Sequence, residues 1–307
     1  MPDIQMRFNK DMLVFSSPIK SSFLESDKAT CLDNFDPEML SITEPDTIQE
    51  ALKWQIVAGA QCLVAPLEDL CESNLIHKDM TKDATHLCDI SVKLANQEKP
   101  QHTIAQINCC NLPFDNSSEN SKKQLSAQYY NAAMLYANKN IDAIMLNNLR
   151  SISEIELAIL AVKKAVTLPV IVSVEFNNDS TFSNKGISAT EVASAMCNSG
   201  AQVIGFSSGA PLEVVEKIAL DFSSCAHTRN IAVLGQVIVS QNNPKQGCAT
   251  TENPYYCSDT MVQVATTLRR CGVQFLRACG QASPAYTGTL VAASAGFDVI
   301  TRGNCER

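Results

Sequence analysis

The chain has 307 residues, 45% of them apolar and 18% charged, with 12 Gly and 12 Pro. That composition describes a folded protein with a sizeable core and argues against collagen-like, coiled-coil and disordered chains. A net charge of -8 with no basic stripe argues against nucleic acid as a partner, because phosphate backbones require a concentrated positive field. No run reaches the roughly 18 apolar residues of a membrane span, and the opening MPDIQMRFNKDM lacks the apolar centre of a signal peptide. A cytoplasmic protein without a membrane partner is the expectation.

In chain order, short apolar runs bounded by turns alternate with stretches of helical spacing. The first strand is expected at 12–15 (MLVF), followed by a helix over 46–58 with Pro45 at its first position, where no N–H is needed. Gly59 then leads into a strand at 61–65 (QCLVA) and a helix over 80–96. A strand at 103–107 (TIAQI) is followed by the polar stretch 116–123 (NSSENSKK), expected as a loop, and a helix over 122–138. The strand at 141–146 (IDAIML) precedes a helix over 152–166, where Ser151 and Glu154 have capping-box spacing. Next come a strand at 169–176 (PVIVSVEF), a polar loop at 177–185, and a helix over 188–198 with Ser188 and Glu191 in the same capping-box relation. Gly200 turns the chain into a strand at 201–206 (AQVIGF), and Pro211 opens a helix over 211–222. A strand at 231–237 (IAVLGQV), a polar loop at 242–256 and a helix over 259–271 follow. The last unit is a strand at 273–278 (VQFLRA) and a helix over 285–296 opened by Pro284.

Eight such units, with strands apolar nearly throughout, fit a closed (β/α)8 TIM barrel better than an open doubly wound sheet. A G-x-G-x-x-G fingerprint is missing after the first strand, which lowers the dinucleotide alternative further. No charge block or shift in composition divides the chain, so residues 1–307 are expected as a single domain. The three polar stretches follow strands, on the face where barrel enzymes keep their chemistry.

Thirteen Cys are scattered along the chain without any C-x-x-C pair. Free thiols, several of them serving as small buried apolar groups, are therefore expected.

Four segments carry a likeness to the homocysteine S-methyltransferase family, the barrel that forms the first module of cobalamin-dependent methionine synthase and stands alone in the betaine enzyme. MLVFSSPIKSSFLES (12–26) resembles the family's first strand and its D-G-A-x-G-T loop. FDPEMLSITEPDTIQEALKWQIVAGAQCLVAP (35–66) resembles the segment ending in A-G-A-D-x-I-x-T-N-T. NKGISATEVASAMCNSGAQVIGFSSGAP (184–211) resembles the approach to G-x-N-C-x-x-G-P, and CGVQFLRACGQASPAY (271–286) resembles G-V-x-x-x-G-G-C-C-G-T-T-P-x-H. The resemblance implies a zinc ion on three cysteine thiolates at the barrel mouth, which keeps the homocysteine sulfur deprotonated for attack on a methyl group.

This chain departs from that pattern at the positions that would do the chemistry. The N-C positions carry Ser207 and Ser208, and of the C-C pair only Cys279 remains, followed by Gly280; a frame one residue earlier gives Ala278 and Cys279, still a single thiol. The strand-1 Asp-Gly is Ser16-Ser17, T-N-T reads Ala65-Pro66-Leu67, and the strand-4 glutamate falls at Asn147. The expectation is that the zinc ligands are not retained and that no cofactor is bound.

Other residues leave alternatives open. Cys279 reads as a surviving nucleophile or ligand, or as an inert relic. Cys109 and Cys110 could approach it across the mouth and rebuild a thiol cluster. Glu175 points either into the mouth or towards the helical layer. Arg277, where the family has glycine, either binds an anion or pairs with a buried carboxylate such as Glu175, the pairing being favoured. His77, His86, His102 and His227 are expected in solvent, Trp54 and Phe23 in the core, and Tyr255-Tyr256 in a lid or interface loop.

These features suggest a pseudoenzyme, a partner or binding subunit in methyl-transfer metabolism. The alternative is an active methyltransferase with a changed, zinc-independent substrate site. The chain ends soon after its eighth helix, so a methyl donor such as a methyltransferase or corrinoid protein is expected to act in trans, with a small molecule at the barrel mouth.

Overall fold

The structure, a computed structural model, describes residues 3–23, 36–183, 185–240 and 248–295, with only the backbone of Ser22 and Phe23. The expected core position of Phe23 and the part of the 242–256 loop up to residue 247 lie outside the described residues.

Eight parallel strands form one sheet: β1 (Leu13–Val14), β2 (Cys62–Val64), β3 (His102–Asn108), β4 (Ala143–Asn147), β5 (Val170–Glu175), β8 (Val203–Ser208), β9 (Ala232–Val239) and β10 (Phe275–Gly280). A short antiparallel hairpin, β6 (Thr181–Phe182) and β7 (Ile187–Ser188), stands within the 177–185 stretch expected as plain loop. The helices are α1 (Pro37–Thr43), α2 (Pro45–Val57), α3 (Glu72–His77), α4 (Ala84–Gln97), α5 (Glu119–Leu135), α6 (Ile152–Ala165), α7 (Ala189–Ser199), α8 (Leu212–His227), α9 (Thr260–Arg270) and α10 (Pro284–Ser294). The stretch 116–123 is loop only in its first half, because Ser118 caps α5.

Each strand pairs with the next in an unbroken series from β2 to β10, and β1 returns to β10. The remaining seam, between β1 and β2, is joined by a parallel bridge between Phe15 and Cys62 and by the bond from Ser16 N–H to the Cys62 carbonyl at 2.9 Å. Ser16 also places its hydroxyl oxygen on the Val64 N–H, 2.9 Å away. The sheet therefore closes into a (β/α)8 TIM barrel, with Ser16 stitching its shortest strand.

Alternation along the strands sorts their side chains into two cores. Residues such as Leu13, Phe15, Ile104, Met145, Ile171, Val203, Leu234 and Phe275 form the barrel's lower interior. Ile144, Val172, Val174, Ile204, Phe206 and Leu276 face outward and pack under the helices.

The helix ends follow their local chemistry. Ser188 and Glu191 form the reciprocal capping box, and Gly200 closes α7 in the left-handed conformation at φ 87°. Pro45 and Pro284 stand in the first turn as expected, whereas Pro211 is the N-cap of α8 rather than its first helical residue. Ser151 caps α6, but Glu154 turns inward. Its carboxylate accepts from the Tyr129 hydroxyl at 2.6 Å and from Arg150 N–H at 2.8 Å.

Two placements differ from expectation. Trp54 is 54% exposed, because the buried stripe of α2 runs through Ile48, Ala51, Leu52 and Gln55. His102 is buried rather than solvated: its Nδ1 stands 3.6 Å from Asp142, and its Nε2 lies 3.4 Å from the Arg7 guanidinium. His77, His86 and His227 are exposed. Cys62, Cys71, Cys88, Cys110, Cys197 and Cys271 are buried free thiols. Among the described residues no helix is long and apolar enough to cross a membrane.

The Tyr129 hydroxyl joins two layers, donating to Glu154 and accepting from Cys110 N–H at 3.1 Å. Tyr129→Phe leaves a buried carboxylate and a buried N–H short of a partner, and is expected to cost about 1–3 kcal/mol. A lower urea midpoint at unchanged m-value is the readout.

Candidate functional site

Above the apolar lower interior, the inward positions of the strands become polar. The same alternation that places Phe275 inside places Arg277 and Cys279 inside, and β3, β5 and β9 likewise raise Gln106, Ser173 and Gln236. Arg277 is 2% exposed and reaches across the barrel. Its Nε donates to the Ser16 carbonyl at 2.9 Å, and its Nη1 to Gln106 Oε1 at 3.0 Å and Gln236 Oε1 at 3.4 Å. Gln236 Nε2 in turn donates to Ser173 Oγ at 2.6 Å and to Asn147 Oδ1 at 3.5 Å. Gln106 Nε2 donates to Asn108 Oδ1 at 2.9 Å, whose own amide donates to Glu68 Oε2 at 3.3 Å.

Gln106, Ser173, Gln236, Asn108 and Glu68 were not among the candidates drawn from the sequence. A signal was present, since each glutamine stands at an alternate position within an otherwise apolar run. The favoured pairing of Arg277 with Glu175 is not formed. No ion pair among the described residues includes Arg277. Glu175 stands at the tip of β5, one inward position above the layer that holds the guanidinium, and it is exposed. It faces the mouth, since it shares the inward face of Ile171 and Ser173, and partial desolvation of its carboxyl by the surrounding rim raises its pKa above the ordinary carboxylate value.

The remaining candidates gather at the strand ends, with most of their polar atoms engaged. Ser207 is buried with its hydroxyl on the Val174 carbonyl at 3.4 Å, and Ser208 is buried with its hydroxyl on the Phe176 carbonyl at 3.3 Å, accepting from Ala210 N–H at 3.2 Å. Ser17 bonds Thr287 through its hydroxyl at 2.8 Å and gives its N–H to Gln55 Oε1 at 3.1 Å. Cys279 turns its thiol to the Val237 carbonyl at 3.3 Å, and burial pushes its pKa up to about 12. Burial outweighs the nearby Arg277 charge, which favours the thiolate.

Gly280 adopts φ +68°, and a Cβ there would lie 2.5 Å from the Val239 carbonyl oxygen. No side chain fits at that position on this backbone.

Cys110 does not rebuild a cluster with Cys279. It meets Cys71 instead, Sγ to Sγ 3.0 Å, in the core between barrel and helices. Tyr255 is buried and anchors its loop by donating to the Ala210 carbonyl at 2.8 Å, and Tyr286 donates to the Tyr255 carbonyl at 3.0 Å. Among the described residues, no group of three or more His, Cys, Asp or Glu is placed to hold a metal ion.

A cavity of about 330 Å3 opens beside the mouth, bounded by Ser17, Lys20, Glu68, Lys78, Arg277 and Gly280. Its outer wall is an ionic cluster in which Lys78 meets Glu38 at 2.9 Å, Asp69 at 3.1 Å and Asp36 at 3.3 Å. Burial, and then the hydrogen bond with Asp36, raise the Glu38 pKa to about 7 in spite of Lys78.

A closed parallel barrel with a polar mouth at its C-terminal strand ends is the architecture of a small-molecule site. The homocysteine S-methyltransferase family model matches residues 17–293, and the chain belongs to that family. Curated proteins provide no sequence match. The fold is similar to the metallated form of the homocysteine methyltransferase MmuM from Escherichia coli (TM-score 0.69, 13% identity, 92% of this chain and 96% of that one). The apo form of the same protein aligns at TM-score 0.70 and 13% identity, over 94% of this chain and 100% of that one. The carboxyl transferase domain of Rhizobium etli pyruvate carboxylase with pyruvate is more distant, at TM-score 0.57 and 11% identity, over 95% of this chain and 44% of that one.

Gly280→Ala tests the backbone at the rim. A left-handed alanine costs about 1–3 kcal/mol before the contact with the Val239 carbonyl is counted. Urea unfolding should therefore show a loss of at least that size, while Gly186→Ala, also at positive φ but with open space around its Cβ, loses less.

Proposed function

We propose that this barrel is a pseudoenzyme of its family, a non-catalytic binding or partner subunit in methyl-transfer metabolism that acts without a resident zinc ion. The observation that carries the reading is the state of the inherited ligand positions. Zinc in this family requires three thiolates in a tetrahedral shell. Here the two serine hydroxyls are spent on backbone carbonyls, the one thiol turns to the Val237 carbonyl, and position 280 has no room for a side chain. The Arg277 guanidinium adds a positive charge beside Cys279 where the resemblance implies a dication. These residues do not fit the metal. A methyltransferase or corrinoid protein acting in trans is the partner this reading implies.

Metal analysis of untagged protein combined with a homocysteine binding and turnover assay tests it. Substoichiometric zinc and no homocysteine-dependent methyl transfer are expected. Stoichiometric zinc with turnover overturns the proposal.

Glu175 supports a second reading, a methyltransferase with a changed, zinc-independent site. This carboxylate faces the mouth, no described residue hydrogen-bonds it, and its raised pKa suits a general base. The deprotonated form is the one that accepts a proton, so activity would fall as pH drops through that raised pKa. On this reading Glu175→Gln lowers methyl transfer by about 10²–10⁴-fold, and unchanged transfer removes the role.

A further inference from the structure

Arg277 carries a charge that no ion pair among the described residues neutralises. A guanidinium has a fork of N–H donors and cannot shed its proton. Three of its hydrogen bonds are accounted for, by the Ser16 carbonyl and the amide oxygens of Gln106 and Gln236. All three acceptors are neutral, and no described residue accepts from Nη2. The side chain is 2% exposed, and it lines the 330 Å3 cavity. Burying a cation among neutral groups is costly, and a counter-anion is the chemistry that relieves the cost.

The wall carboxylate whose charge reaches Arg277 does not fill that role. Glu68 is engaged with Asn108 at 3.3 Å and forms no ion pair with Arg277, although its charge is felt there. Asp36, Glu38 and Asp69 are drawn to Lys78. The wall also limits how much negative charge can enter. The cavity is bordered by four carboxyl groups (Asp36, Glu38, Glu68, Asp69) and three cationic side chains (Lys20, Lys78, Arg277), so the wall as a whole has no surplus of positive charge, attraction for an anion is local to Arg277, and a second negative charge on the ligand is repelled. The volume lies at the small end of ligand pockets.

We infer that the mouth binds a small organic monocarboxylate, its anionic end on Arg277 Nη2 at the inner end of the cavity and its body against Ser17 and Gly280. This inference rests on the zinc-free mouth proposed above and names the ligand class. It is carried by a residue that stands where the family resemblance has glycine, so the site is this chain's own.

The test uses the full chain, with propionate as the probe and propionamide, succinate and inorganic phosphate as comparators, read by calorimetry and by thermal shift. Propionate is expected to bind saturably, at least tenfold tighter than the uncharged amide, with succinate and phosphate weaker than propionate. Arg277→Gln should abolish the difference between propionate and propionamide. Should that variant fail to fold, Glu68→Gln decides. Removing a like charge from the wall tightens propionate several-fold if its carboxylate sits on Arg277, whereas weakened or unchanged binding places the ligand elsewhere and overturns the inference. Equal binding of amide and carboxylate, or phosphate binding above propionate, overturns it as well. Zinc content measured on the same sample keeps the two readings apart. A zinc-free protein that ignores propionate sinks this inference alone, and stoichiometric zinc sinks the pseudoenzyme reading.

Discussion

A single buried guanidinium organises the upper half of this barrel. Arg277 rises from β10, meets the β1 seam through the Ser16 carbonyl, and crosses to β3 and β9 through two glutamine side chains. Because the interior is sealed below by apolar side chains, the charge cannot be hydrated from beneath, and every nearby strand must contribute something polar. Gln236 passes the constraint on to Ser173 and Asn147, and Gln106 passes it to Asn108 and Glu68. The polar layer is therefore one connected network, with the cation at its centre.

The rim immediately above has a different character. Ser207 and Ser208 turn back onto the strand and loop carbonyls beside them, Ser17 binds α10 and α2 through Thr287 and Gln55, and Cys279 hides its sulfur against β9. Polar groups that could have converged on a ligand instead secure the ends of the barrel. The family's scaffold thus carries, in the layer beneath the strand tips, a buried guanidinium held by amides.

The framework was legible because its signals are periodic. Runs such as PVIVSVEF and AQVIGF, capping serines at 151 and 188, and Gly200 after α7 place strands and helices from neighbouring residues alone. The short helices α1 and α3 escaped notice, having too few turns to show a period. Trp54 shows the limit of residue-type reasoning: an aromatic is exposed and a glutamine buried on the same helix, because Gln55 is needed to satisfy Ser17 and Thr287. The departures expected at Ser16, Ser17, Asn147, Ser207, Ser208 and Gly280 rest on laying the sequence against the family's motifs. What stands in their place could not be read that way. Arg277 finding amides rather than Glu175, and Cys110 finding Cys71 rather than Cys279, depend on which strand faces which across the interior, and that is a property of closure rather than of any local pattern.

The left-handed turn at Gly280 decides what that position can carry. In a flexible rim, a single substitution could place a side chain there. Here the carbonyl of Val239 already occupies the space such a group would enter, so the strand must be re-threaded before any replacement is tolerated. Any side chain at 280 demands two coordinated changes, backbone first and residue second. The geometry of one peptide unit thus acts as a latch, holding this corner of the rim to hydrogen and nothing larger.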